Sequence, residues 1–343
     1  MEANMKPIAS RATLAIGLVV LTWQSPALAQ SPAAALFDKH VAAGLPQTFS
    51  LAHTSDDERG VGVDRVVVEE KLDTDVVYPD GSHATTYIGT ANGREATFTR
   101  IGDELNVSAP DESTHAPPLG GHVQRLLPQA DDTITAPATL ASSESPRTSE
   151  GRRPKELQFW IFLHDESGET NYAKFQSWYL SWWLRDMERT VKPGAPLKVF
   201  IREHIPGVTD FDYAPGTLVD KLVAFTQVAD EYIKTENYQP SRLTKTMLFI
   251  GKRPENWPSD IYGISLQGNT VAMASSSGPR HIIAHEFGHS LDAVHDHAED
   301  RPFCVTNMYG YGFGKVSCQV YTKGNDQKIR AHVADALKQG WNE

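Results

Sequence analysis

His285-Glu286-Phe287-Gly288-His289-Ser290-Leu291-Asp292-Ala293-Val294-His295, with Asp296 next, is the stretch on which the reading of this chain turns. As a helix it would advance about 100° and about 1.5 Å per residue, which sets His285 and His289 one above the other on one face. Two imidazoles so placed converge on one ion. Zinc takes nitrogen at about 2.0–2.1 Å, and a catalytic site keeps three protein ligands and leaves the fourth position to water. Glu286 stands beside that position. Its carboxylate is suited to take a proton from the water as it attacks a carbonyl and to hand it to the leaving amine, while the ion polarises the carbonyl oxygen.

The third ligand selects the kind of enzyme. His295 follows His289 at a distance that, in an unbroken helix, would turn it about 120° away and carry it about 9 Å further along the axis. The helix must therefore end between them, and Asp292 stands where a left-handed turn is wanted; Asp is among the few non-glycine residues that visit that region. A downstream glutamate ligand is poorly served: Glu299 is too near for a second helix, and Glu343 is the last residue. His281 lies about 12 Å along the axis from His289, too far to share one ion, and reads as a first-turn residue. His297 is the alternative to His295.

At these residues the chain resembles the metzincin zinc endopeptidases, whose helix reads H-E-x-x-H-x-x-G-x-x-H ahead of a methionine-bearing turn. His285, Glu286, His289 and His295 match position by position, and Asp296 is similar to the reprolysin and adamalysin branch; a matrix-metalloproteinase-like domain is the other branch in view. Asp292 departs from the pattern, standing where the family has glycine. Met308, in Cys304-Val-Thr-Asn-Met-Tyr-Gly-Tyr-Gly312, is where the Met-turn would fall. The resemblance implies an α+β fold: a twisted mixed sheet with two helices, the zinc-binding helix, the Met-turn and a C-terminal helix. It implies one catalytic Zn2+ held by His285, His289 and His295, with Glu286 as general base. Tyr309 and Tyr311 flank the Met-turn and are expected to wall the substrate pocket.

Cys304 and Cys318 are the chain's two cysteines, and they bracket Met308. In an oxidising compartment a disulfide between them would tie this loop, worth about 3 kcal/mol on the loop-entropy model; two free thiols are the alternative. With no cysteine upstream, the cysteine switch of matrix metalloproteinases has nothing to work with.

Outward from the motif, strands and helices alternate. Leu157–Asp165 and Leu197–Glu203 read as strands, Thr170–Thr190 as a helix aromatic on one side, Thr217–Tyr232 as a second helix and Thr246–Gly251 as a third strand. Ile261–Ala274 splits at Gln267-Gly268-Asn269 into a hairpin, Ser277-Gly278-Pro279 opens the zinc helix, and Asn325–Trp341 closes the domain as a helix. In the metzincins an edge strand pairs with extended substrate. That role is expected of Gly263–Ala274, with Gly263 and Ala272 as substrate-binding residues and the second half favoured. The aromatic cluster within FQSWYLSWWL reads as core.

Residues 155–343 thus form the expected protease domain. Residues 30–109 alternate in short runs, with turns at Asn92-Gly93 and Gly102-Asp103, and read as a small β-rich N-terminal domain whose position ahead of a protease resembles a propeptide. Residues 110–154 shift to Pro, Ser, Thr and Ala and read as a linker, with Arg152-Arg153 as a processing site.

Residues 1–29 read as a secretory signal: Lys6 and Arg11, an apolar run from Ala12 to Trp23, and Ala27-Leu28-Ala29 as the cleavage site. The product is expected to be periplasmic or secreted, monomeric and without a membrane anchor, acting on proteins or peptides. A net charge of −11 and a pI near 5.6 argue against nucleic acid. Asp296, Glu299 and Asp300 form an acidic cluster where Ca2+ is possible, although no recognised ligand spacing supports it. Two other functions stay open: a zinc hydrolase of a non-protein amide such as cell-wall material, and a peptide-binding module of the same fold without turnover.

Overall fold

The structure is a computed structural model that describes residues 32–54, 61–108, 133–134, 155–191, 194–214, 216–255, 257–258, 261–310 and 316–339. The expected signal sequence, most of the linker, the Arg152-Arg153 site and Tyr311 lie outside the described residues.

The chain begins with α1 (Pro32–Ala42), then β1 (Gln47–Thr54), β2 (Val61–Lys71), β3 (Asp75–Val77), β4 (His83–Ala91), β5 (Arg94–Ile101) and β6 (Glu104–Ser108). β1, β2, β4, β5 and β6 pair antiparallel, each with the next. Asn92 at φ 52° and Gly93 at φ 78° make the tight β4–β5 turn expected of Asn-Gly. Phe37 of α1 packs on this sheet against Phe49, Tyr87 and Phe98, giving the N-terminal strands a core of their own.

They do not have a sheet of their own. β3 pairs parallel with β9 (Leu197–Arg202), joining the N-terminal strands to those that carry the site. Polar contacts reinforce the join. Glu188 Oε1 accepts from the Thr74 amide and hydroxyl at 2.7 and 2.6 Å, and Glu70 pairs with Arg185 at 2.9 Å.

The second half of the sheet runs β9, β8 (Leu157–Leu163), β10 (Thr244–Ile250), β12 (Val271–Ser275), β11 (Gly263–Leu266), β7 (Thr133–Ile134). β9, β8, β10 and β12 are mutually parallel, and β11 turns back antiparallel on β12. β8 shows why the sheet is enclosed. All seven of its residues are buried, Phe159 and Ile161 toward one helical layer and Trp160 and Phe162 toward the other.

One layer holds α2 (Tyr172–Phe175), a π-turn over Gln176–Leu180, and α3 (Ser181–Val191). Phe175, Tyr179 and Trp183 face the core, as their spacing requires. The π-turn turns Gln176 inward, where it accepts from Tyr78 Oη at 2.7 Å. The other layer is α4 (Leu218–Thr235), capped by Thr217, whose hydroxyl accepts from the Asp220 amide. Then come α5 (Ile282–Ser290), the short pair β13 (Cys304–Val305) and β14 (Val316–Ser317), and α6 (Lys323–Gln339). Among the described residues no helix is long and apolar enough to cross a membrane.

The hairpin brings a correction. The second half of Gly263–Ala274 is not the edge: β12 lies between β10 and β11, and Ala272 is fully buried. Both strands of the hairpin are mostly apolar and buried throughout, so alternation could not rank them; the parallel register with β10 draws β12 inside. β11 is the outer strand, and Thr133–Ile134 pairs parallel along its far side.

Candidate metal centre

All nine residues of helix α5 are buried, the polar His285, Glu286, His289 and Ser290 among them. Ile282, Ile283 and Phe287 hold it to the sheet layer, Phe287 standing 4.9 Å from Phe159 and 5.5 Å from Trp183 between ring centres. That packing leaves His285, Glu286 and His289 along one buried stripe.

The helix stops as the motif demands. Ala293 donates to the Gly288 carbonyl at 2.9 Å and Asp292 to the His289 carbonyl at 3.0 Å, the paired bonds of a Schellman turn. Asp292, the residue that must go left-handed, has φ 69°. The chain then reverses and returns His295 to the helix. Asn325 of α6 fixes the return, its amide accepting from Val294 N at 2.9 Å and donating to Val294 O at 3.1 Å.

The three Nε2 atoms meet. His289 lies 2.9 Å from His295 and 3.3 Å from His285, and His295 lies 3.1 Å from His285. Three nitrogens at about 2.05 Å from one zinc ion, at tetrahedral angles, would stand about 3.3 Å apart. The proton arrangement agrees. His285 Nδ1 is 2.8 Å from the Asn307 carbonyl and His289 Nδ1 is 3.2 Å from the Ala293 carbonyl. A carbonyl only accepts, so both Nδ1 atoms carry the proton and both Nε2 atoms present lone pairs inward. Lone pairs gathered this closely repel one another; a cation at their centre is what the donor set fits.

Around the cluster, Glu286 is fully buried with its carboxylate against the backbone of Gly263 on β11, where any side chain would collide with it. Met308 is fully buried beneath the helix, its sulfur against Gly288. Cys304 and Cys318 are bonded, with Cα atoms 5.1 Å apart, and close the loop that holds Met308. Tyr309 contributes its carbonyl, 3.3 Å from His281 Nε2. A small cavity of about 10 Å3, room for about one water, is lined by residues that include Trp178, Arg280, His281 and Asn307.

The residues that competed for the third position point elsewhere. His281 caps α5 away from the cluster, and burial, then the neighbouring His285, pushes its pKa down to about 3. His297 lies against Gly324 of α6. Asp296, Glu299 and Asp300 are exposed, and Glu299 pairs with Arg301 at 3.0 Å. Among the described residues the three histidines are the one group found that could hold a metal ion.

Sequence reasoning missed the support on α6, because Asn325 reads only as the residue that opens the final helix. It also missed Lys245, though a lysine inside the apolar run TKTMLFI was a signal.

No protein-family profile matches the chain. No curated protein matches it in sequence. Among solved structures, the crystal structure of metalloproteinase-II from Bacteroides fragilis superimposes with a TM-score of 0.48 and 12% identity, over 86% of this chain and 94% of that one. So distant a likeness carries no argument, and the functional reading rests on the site.

Proposed function

We propose that this protein is an exported zinc-dependent endopeptidase of metzincin type. The observation that carries the reading is the meeting of three imidazole Nε2 atoms beside a buried glutamate and the outer strand of the sheet. His285, His289 and His295 would hold the ion, which when bound would polarise the substrate carbonyl and acidify a water. Glu286 takes the proton of the attacking water and delivers it to the leaving amine. β11 is the strand on which an extended substrate backbone would pair. The disulfide supports an oxidising compartment, and hence export.

The same strand supports latency. Thr133–Ile134 pairs with β11 along the side a substrate would use. Activation by a cut between residues 135 and 154 follows from this reading. Deleting the whole N-terminal segment is a different matter, because losing β3 would uncover the edge of β9.

The test is cleavage of an unbiased peptide mixture by the purified protein, before and after limited proteolysis, beside Glu286→Ala with zinc measured on both. Cutting by the native form, and none by a variant that keeps its zinc, supports the assignment. Zinc in both and cutting in neither defeats the peptidase reading.

A further inference from the structure

We infer that Asp292, His332 and Lys245 form a positioning relay that holds His295 in register for the metal. The inference rests on the reading of the three histidines as a metal site, and it concerns the one position where the motif departs from its family.

A glycine at the left-handed position would meet the backbone requirement with less strain than aspartate. Aspartate brings a side chain, and that side chain is engaged. Asp292 Oδ2 lies 2.7 Å from Nδ1 of His332, a residue of α6 whose side chain is fully buried. The opposite ring nitrogen, Nε2, lies 3.0 Å from Nζ of Lys245 on β10. Lys245 is fully buried, and its ammonium also donates to the Asn269 carbonyl at 2.9 Å and the Ser290 carbonyl at 2.7 Å. Three donors thus meet three acceptors. Direction follows: Lys245 donates to His332 Nε2, so His332 donates from Nδ1 to the carboxylate.

These bonds tie four elements at one point: β10, the β11–β12 turn, the last turn of α5, and α6. The β11–β12 turn also closes over the carboxylate, since any side chain at Gly268 would collide with Asp292 Oδ1. Asp292 and Val294 are both gripped by α6, the first through His332 and the second through Asn325. The next residue is His295. The third ligand therefore hangs from a segment gripped at two points by the C-terminal helix, and the carboxylate is the grip a glycine could not provide.

A relay that only stabilised the fold would not move the metal's environment, and this separates the two roles. The full-length protein and its Asp292→Gly, Asp292→Asn and His332→Ala variants would be compared as apo proteins by circular dichroism. Zn2+ affinity would be read by competition with a chromophoric chelator, and the ligand field by the visible spectrum of bound Co2+. Asp292→Gly, with the easiest backbone for the turn, is expected to lose about ten- to a hundredfold in Zn2+ affinity and to change the Co2+ spectrum, as when other supports of metal ligands are removed. Asp292→Asn keeps an acceptor for His332 and is expected to restore most of both. The Asp292→Gly/His332→Ala double variant should be little worse than either single one, because both break one chain of bonds. Wild-type affinity and spectrum in Asp292→Gly would overturn the relay, as would a loss that Asp292→Asn leaves unrepaired. If the unaltered protein takes up neither Zn2+ nor Co2+, the metal reading itself falls, a result visible before any substitution is compared.

Discussion

The sulfur of Met308 occupies the place where Gly288 would carry a β-carbon. Gly288 lies just before the ligand His289, so the helix backbone rests directly on the methionine, and the neighbouring Asn307 carbonyl holds His285 Nδ1 at 2.8 Å. The floor and one ligand are thus set by two adjacent residues of one turn.

Gly288→Ala is expected to force these apart. Overpacking of this kind costs about 1–3 kcal/mol, of which the better helix propensity of alanine returns at most about 1 kcal/mol. Urea unfolding of the metal-free protein should report the loss, and zinc competition should report weaker binding. Stability at or above wild type would mean that the sulfur is not seated against the helix.

Cys304 and Cys318 enclose that same turn, at a separation of 14 residues. Replacing both by serine should lower stability by about 3 kcal/mol on the loop-entropy account and loosen the floor of the site. Thermal unfolding with and without reductant checks it: wild type should fall toward the double variant on reduction, and the variant should not respond.

The reach of the sequence follows from these contacts. Ligand identity was legible because helix period fixes His285 and His289, and the break at Asp292 was legible because only a left-handed residue lets His295 return. The runs that became β8, β9 and β10 were legible as strands of a sheet because each is short, largely apolar and separated from the next by a helical stretch. What stayed hidden depends on pairing between distant segments. Nothing in Asp75–Val77 says that it will join β9, and nothing in the mostly apolar Val271–Ser275 says that it lies inside its hairpin partner. The grip of α6 on the third ligand was equally invisible, since Asn325 and His332 acquire their roles only when the helix docks.

Asp186 on α3 gives a pH prediction. Its carboxylate accepts from the Tyr321 amide at 2.8 Å, and burial pushes its pKa up to about 7 against that bond. The folded state therefore holds a proton that the unfolded chain, titrating near about 3.9, has released. Stability carried by this group is complete at the acid end and is lost as pH rises from about 4 through about 7. Asp186→Asn keeps an acceptor and removes the charge. Its unfolding midpoint should match wild type near pH 4 and exceed it at pH 8, and a constant difference between the two would contradict the assignment.

Gly263 on β11 and Glu286 on α5 leave each other no spare room, since a β-carbon at the glycine would strike the carboxylate. The atoms that a β-carbon at Gly263 would meet first all belong to Glu286. Gly263→Ala should therefore move the base and leave the metal. A displacement of about 1 Å at a reacting group can cost about a hundredfold in rate, so turnover is expected to fall by about that factor at unchanged zinc content. The same substitution keeps the backbone of β11 able to pair with substrate, and KM should change less than kcat. Comparison with Glu286→Gln sharpens the test: if Gly263→Ala acts by displacing the carboxylate, adding it to Glu286→Gln should have almost no further effect on kcat. A fully additive double variant would instead assign the loss to the strand, and turnover equal to wild type in Gly263→Ala would remove Glu286 from the edge of β11.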